Sequence, residues 1–286
     1  MNQNTFSFPL HRILVPLDAS ENSLAALDIA AELAATLEAE LEGLFVEDIH
    51  VLQLCEFPFA REVSLLGPTF RRVDRAETER QLRIQAQRLQ KIVAHVAGRH
   101  QVPWKFRVAR GGVPAEVLAA AEQADLTILG RSGWSMSGKQ RVGSTVRTVV
   151  SQGRGMTLII RQGMRFHPPV QVLFTGSQLS EKALALALDL SRKKELPVIV
   201  LISGEKPEMH SQLQERAQKL ITGHTGKATL HVLPHALGLR QINQAVHLHG
   251  PGPLFIPCEQ PHLHGEDLQA LVDSVQNPVL LVRSRS

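Results

Sequence analysis

Two glycine-bearing segments carry the most specific chemistry in the sequence. Gly130-Arg131-Ser132-Gly133 is followed, after nine intervening residues, by Gly143-Ser144-Thr145, a G-x2-G-x9-G-[ST] spacing. Glycine permits positive φ and lets a phosphate oxygen approach a backbone amide without meeting a side chain. A helix opening at Ser144 would aim its free N–H groups and its dipole at an anion. The Ser144 and Thr145 hydroxyls add donors, and Arg131, Lys139 and Arg141 add positive charge at the rim. The pattern predicts a phosphate-binding loop; the alternative is a surface loop whose glycines only make turns.

Asp18 closes the apolar run RILVPL. A carboxylate there can accept hydrogen bonds from a ribose or hold a metal bound to phosphates. It can equally make an Asx-turn or cap the following helix. The glycine loop favours the first pair of roles.

The elements that must position these residues follow from periodicity. A buried strand is predicted at 12–17, an amphipathic helix at 23–40 and a second strand at 41–46. Residues 47–73, with Pro58, Gly67 and Pro68, read as an irregular excursion containing a short helix. A helix at 74–98, a strand at 104–108 and a helix opening at Gly111–Glu116 come next, with Pro114 suited to its first turn. The strand at 126–129 runs straight into the glycine loop, and a helix from Ser144 leads to a strand at 156–161. Strands alternating with helices predict a doubly wound parallel sheet, which binds ligands beyond the carboxyl ends of its strands.

After a Pro/Gly linker at 163–169 the pattern restarts. Strands are predicted at 170–174, 197–202, 228–233, 253–256 and 278–282, and helices at 180–194, 208–222, 237–248 and 267–274. The expected fold class is therefore α/β, with two tandem five-stranded parallel sheets in domains 1–163 and 164–286.

Composition bounds the function. The chain has 286 residues, 43% hydrophobic and 20% charged, which excludes wholly disordered and collagen-like classes. Mean hydropathy is −0.04, and no apolar run of about 18 residues predicts a spanning helix. The start MNQNTFSFPL reads as no secretory signal, and Cys55 and Cys258 alone cannot build a disulfide framework or a zinc site, so a reducing cytoplasm is expected. Net charge is +4, and each half carries an excess of two positive charges, so neither is a basic arm. Tyr is absent and aromatics are 4%, which argues against a nucleic-acid binder that stacks bases. The pairs His247/His249 and His262/His264 would share a face on a strand and could bind metal, but are read as structural or surface groups. Arg71, Arg72, Arg75, Arg80, Arg83 and Arg88 read as a solvated face.

The first half resembles the universal stress protein family, in its ATP-binding branch. The resemblance runs from ILVPLDASENS through LGRSGWSMSGKQRVGSTVRTVV to MTLIIR, essentially residues 10–162. It implies a Rossmann-like fold and a cytoplasmic stress-response protein that acts as a nucleotide-dependent regulator. In that family the glycine loop binds the ribose and phosphates of ATP, the strand-1 aspartate lies beside the nucleoside, and backbone after strand 2 meets the adenine. Carried over, the nucleotide site is Asp18, Val46, Gly130, Gly133, Gly143, Ser144 and Thr145, with Arg131 at its rim, and Mg or Mn arriving with ATP. No general base is visible, so turnover is expected to be at most that of a slow ATPase. The competing readings are such an ATPase and a protein-interaction module with a vestigial loop.

Expected partners are the nucleotide and a protein of unspecified identity, with neither membrane nor nucleic acid. In the family, single domains pair through the last strand, so a tandem chain is expected to form that pair internally, 156–161 beside 278–282. Homodimerisation stays open.

The second copy lacks the machinery. Aligning Ser180 with Ser23 puts Thr175 opposite Asp18, and aligning the last strands puts Pro257 near Gly130, Gly265 opposite Gly143 and Glu266 at the place of Ser144. A carboxylate at that helix N-terminus would satisfy the dipole itself and repel phosphate. One nucleotide per chain is expected.

Overall fold

The computed structural model describes residues 10–57, 61–63, 70–72, 74–131, 143–164, 166–204, 207–222, 227–233, 239–258 and 266–284. In the first half, β1 (Arg12–Pro16), α1 (Glu21–Leu37) and β2 (Glu40–Asp48) form a right-handed βαβ start. The excursion holds α2 (Ile49–Leu54) and a hairpin of β3 (Arg61–Val63) and β4 (Phe70–Arg72). Then come α3 (Arg75–His100), β5 (Trp104–Gly111), α4 (Val113–Ala121), β6 (Leu126–Gly130), α5 (Ser144–Gln152) and β7 (Met156–Ile160). The second half runs β8 (Val170–Phe174), α6 (Gln178–Lys194), β9 (Val198–Ile202), α7 (Pro207–Thr222), β10 (Ala228–Val232), α8 (Leu239–His249), β11 (Leu254–Pro257), α9 (Glu266–Ser274) and β12 (Val279–Val282).

Each half builds five parallel strands, in the orders β5-β2-β1-β6-β7 and β10-β9-β8-β11-β12. The two sheets are fused. β7 and β12 pair antiparallel, with Val279 opposite Ile159 and Leu281 opposite Thr157, giving one ten-stranded sheet. The pairing of the two last strands is thus internal to the chain.

The core is divided by face rather than by half. One layer packs α1, α3, α6 and α7 on the sheet through residues such as Leu27, Val93, Leu184 and Ala217. The other packs α4, α5, α8 and α9 through Val117, Val149, Ile242 and Leu271. Both layers run without a break across the boundary expected at 163.

Local chemistry corrects several predicted ends. α1 starts at Glu21 because the Ser20 hydroxyl accepts from the Ser23 N–H, and it ends where Glu38 turns left-handed at φ 58°. α6 repeats this: the Ser177 hydroxyl accepts from the Ser180 N–H, and Glu195 ends the helix at φ 54°. The matching caps put Thr175 in the place of Asp18. β5 reaches Gly111 because β2 continues to Asp48, its partner in register. α4 therefore opens after Gly112.

Candidate functional site

Beyond the carboxyl ends of β1, β2 and β6 lies a cleft of about 810 Å³, within the roughly 300–1,000 Å³ range of ligand pockets. Asp18, Val46, Gly130, Gly143, Ser144 and Thr145 all line it. Ser132, Gly133, Lys139 and Arg141 lie outside the described residues.

At one end of the cleft, Gly143 is the N-cap of α5, and no side chain caps that helix. Arg147 N–H is the first amide of α5 to return to the cap carbonyl, Gly143 O, at 3.1 Å. The Ser144, Thr145 and Val146 amides precede it, in the turn where helix N–H groups lack intrahelical partners. At the other end, Gly112 is the N-cap of α4, again with no side-chain cap, and Val113 and Pro114 line the cleft. Elsewhere Ser20, Asp48, Asp74 and Ser177 cap α1, α2, α3 and α6 with their side chains. Among the helices whose N-caps are described, the two starts left without a side-chain cap both open onto this cleft, where the dipoles favour negative charge.

Gly130 has a different reason to be glycine from the one its motif suggests. A Cβ there would stand 2.6 Å from the backbone carbon and 2.7 Å from the oxygen of Asn22 in the first turn of α1. The missing side chain lets α1 sit on β6, which places the Asp18 turn at the cleft wall.

Asp18 makes its Asx-turn and lines the cleft as well. Its Oδ1 accepts from the Ser20 N–H at 2.9 Å, and its carbonyl accepts from Gln85 Nε2 of α3 at 3.3 Å. Ala19 beside it sits at φ 64°, a left-handed conformation costly for a residue with a Cβ. Val46 is buried in β2 and lines the floor.

Arg131 corrects an expectation. It does not line the cleft: its guanidinium donates to the carbonyls of Val275, at 3.0 Å, and Asp273 in the second half. Its N–H is also used, donating to Ile160 O at 2.6 Å.

Sequence reasoning missed Asp48, His50 and Gln85, which also line the cleft. Asp48 Oδ1 accepts from the His50 N–H at 3.0 Å and starts α2, and His50 Nε2 lies near Gly112. The only available signal was that polar residues directly follow β2.

In the second half, α7 packs closely on the ends of β8 and β9. A Cβ on Gly176 would stand 2.5 Å from Leu213 Cδ2, and one on Gly204 would meet His210 and Leu213 at 3.1 and 3.2 Å. α7 thus presses Leu213 against the ends of β8 and β9. Glu266 is the first residue of α9, as expected, while Gly265 lies outside the described residues. The described histidine pair lies on a helix, not on a strand. His247 and His249 lie in the last turn of α8, where residues two apart point to different sides. His249 packs edge-on against His231 at 4.7 Å instead. His262 and His264 lie outside the described residues.

The sequence model of the universal stress protein family matches residues 9–161. The chain belongs to the universal stress protein family. The matched residues contain the whole cleft, whereas the second half shares only the strand order. Among solved structures, a universal stress protein from Archaeoglobus fulgidus DSM 4304 superposes with a TM-score of 0.74 at 16% identity, covering 98% of this chain and 100% of that one. A functionally unknown protein from Pseudomonas aeruginosa PAO1 superposes with a TM-score of 0.57 at 11% identity, covering 96% and 93%. At these identities the likeness is one of fold. No curated protein matches the chain. Among the described residues, no helix of this universal stress protein is long and apolar enough to cross a membrane.

Proposed function

We propose that the first half binds ATP and that occupancy of the cleft is the signal this universal stress protein delivers to a protein partner in the cytoplasm. The observation carrying this reading is the uncapped N-terminus of α5, facing the same cleft as Asp18 and Val46. In it, the phosphates lie against the Ser144 and Thr145 amides and hydroxyls at the start of α5. The ribose lies by Asp18, and the adenine lies by the backbone after β2.

Among the described residues no three metal-ligating side chains cluster. In this reading Mg or Mn enters bound to phosphate oxygens, and chelating it weakens ATP binding.

The test is to denature the purified full chain, identify any released nucleotide, and titrate the emptied protein with ATP with and without Mg. Binding of a nucleoside triphosphate at one site is expected. No binding under either condition leaves the protein-interaction module as the better reading. Phosphate release exceeding one per chain turns it into a slow ATPase.

A further inference from the structure

α3 borders the cleft, and one of its turns has two sides of different chemistry. Leu82 and Gln85 line the cleft, and Gln85 Nε2 donates to Asp18 O at 3.3 Å. Arg83 and Ile84, between them in sequence, face solvent. A ligand that rests on Leu82 and Gln85 touches the same turn that Arg83 and Ile84 present outward.

The solvent side is a cationic stripe. Positions three and four apart on a helix are neighbours, so Arg80, Ile84, Arg88 and Lys91 lie in a row, with Arg83 beside it. No Asp or Glu occurs between residues 80 and 100. The ends of the stripe are answered by the chain's own carboxylates. Glu77 stands 3.7 Å from Arg80, and Asp28 of α1 accepts from Arg99 at 2.8 Å. The middle is not: Arg83, Arg88 and Lys91 are exposed, and among the described residues their side chains make no ion pair or hydrogen bond. Ile84, 39% exposed, sits among these cations, one turn from Arg80 and one turn from Arg88.

We propose that this face of α3 docks an acidic segment of the protein partner, with carboxylates on Arg83, Arg88 and Lys91 and one apolar side chain on Ile84. An apolar centre inside a charged rim is the layout of a protein interface. Nucleic acid fits it less well: Glu77 and Asp28 at the ends of the stripe would face phosphates, and Ile84 would have no counterpart. The docking surface stands by itself, while its dependence on occupancy of the cleft rests on the nucleotide reading above. ATP against Leu82 and Gln85 holds the turn before the partner arrives, so less order is lost on docking. By linkage, the acidic segment tightens ATP binding by the same factor.

The test uses the full chain and a fluorescein-labelled peptide of about 15 residues, with Glu on one helical face around a single Leu. The row from Arg80 to Lys91 spans about 17 Å, so such a peptide covers it. Affinity is read by anisotropy with and without ATP, and a short DNA duplex is the comparison. The wild type should bind the peptide, and Arg83→Glu with Arg88→Glu should lose about tenfold or more. Ile84→Ala should lose about threefold through the apolar contact alone. Lys219→Glu with Lys227→Glu changes the net charge equally at exposed positions of the second half, and should bind as the wild type does. ATP should tighten peptide binding about fivefold. No peptide binding by the wild type, or an equal loss in the two double variants, overturns the docking surface. Tighter binding of the duplex, abolished by Arg83→Glu with Arg88→Glu, overturns it in favour of nucleic acid. Peptide affinity unchanged in an ATP-bound chain overturns the coupling alone. Absence of ATP binding overturns the nucleotide reading and the coupling, while the docking surface is decided by the peptide.

Discussion

Gly130 lies directly beneath Asn22: the position a Cβ would take is 2.6 Å from the Asn22 carbonyl carbon. Backbone cannot give way there as a side chain tip can. Gly130→Ala is therefore expected to destabilise the protein by about 1–3 kcal/mol, the usual cost of overpacking. Gly98→Ala, in α3 with nothing within 4 Å, should gain roughly 0.5–1 kcal/mol. Urea denaturation of both variants gives the signs; equal effects would contradict the close packing of α1 on β6.

Gly143 separates stability from binding. It sits at φ −61° and ψ 155°, which any residue can adopt, at a position where Asp is a favoured N-cap. Gly143→Asp should leave the melting temperature unchanged or raised. It should also remove ATP binding, because the carboxylate takes the amides and repels phosphate. A variant that binds ATP as the wild type does would place the phosphates elsewhere.

Stoichiometry tests the asymmetry of the halves. In the second half Leu213 packs against Gly176 and Gly204, just past the ends of β8 and β9. One ATP per chain is expected by titration. Leu213→Ala should cost about 2–5 kcal/mol without adding a second site. Two equivalent sites in the wild type would refute this.

Acid should loosen the β10–α8 corner. Burial, with His231 adding repulsion, holds the His249 pKa below its ordinary 6.5. The unfolded imidazole then binds a proton that the folded one refuses, so stability is full above pH 6.5 and falls as pH drops through that value towards the folded pKa. His249→Leu should lose less melting temperature than the wild type between pH 7.5 and 5. Parallel pH profiles would show that His249 titrates alike in both states.

The alternation of elements was legible because each strand is a short apolar run and each helix an amphipathic one. The ends were less so. Glu38 and Glu195 end helices in a left-handed conformation that no glycine announces, and β3 and β4 are strands of only three residues each, too short for an alternating pattern to show. In the site, Asp18, Gly130 and Gly143 could be read from type and spacing. Asp48, His50 and Gln85 could not, because Asp48 and His50 sit where β2 passes into α2 and Gln85 comes from α3, far away in sequence. Arg131 looked like a phosphate ligand because charge does not distinguish a phosphate from the carbonyl end of a helix.

The antiparallel seam between β7 and β12 joins strands more than a hundred residues apart in the chain. During synthesis β7 leaves the ribosome more than a hundred residues before its partner exists. At about 5–20 residues per second, the first half waits roughly ten seconds with a bare, apolar strand edge. The nascent chain is then a half-molecule whose edge a copy of itself can pair with, until β12 is made and covers that edge.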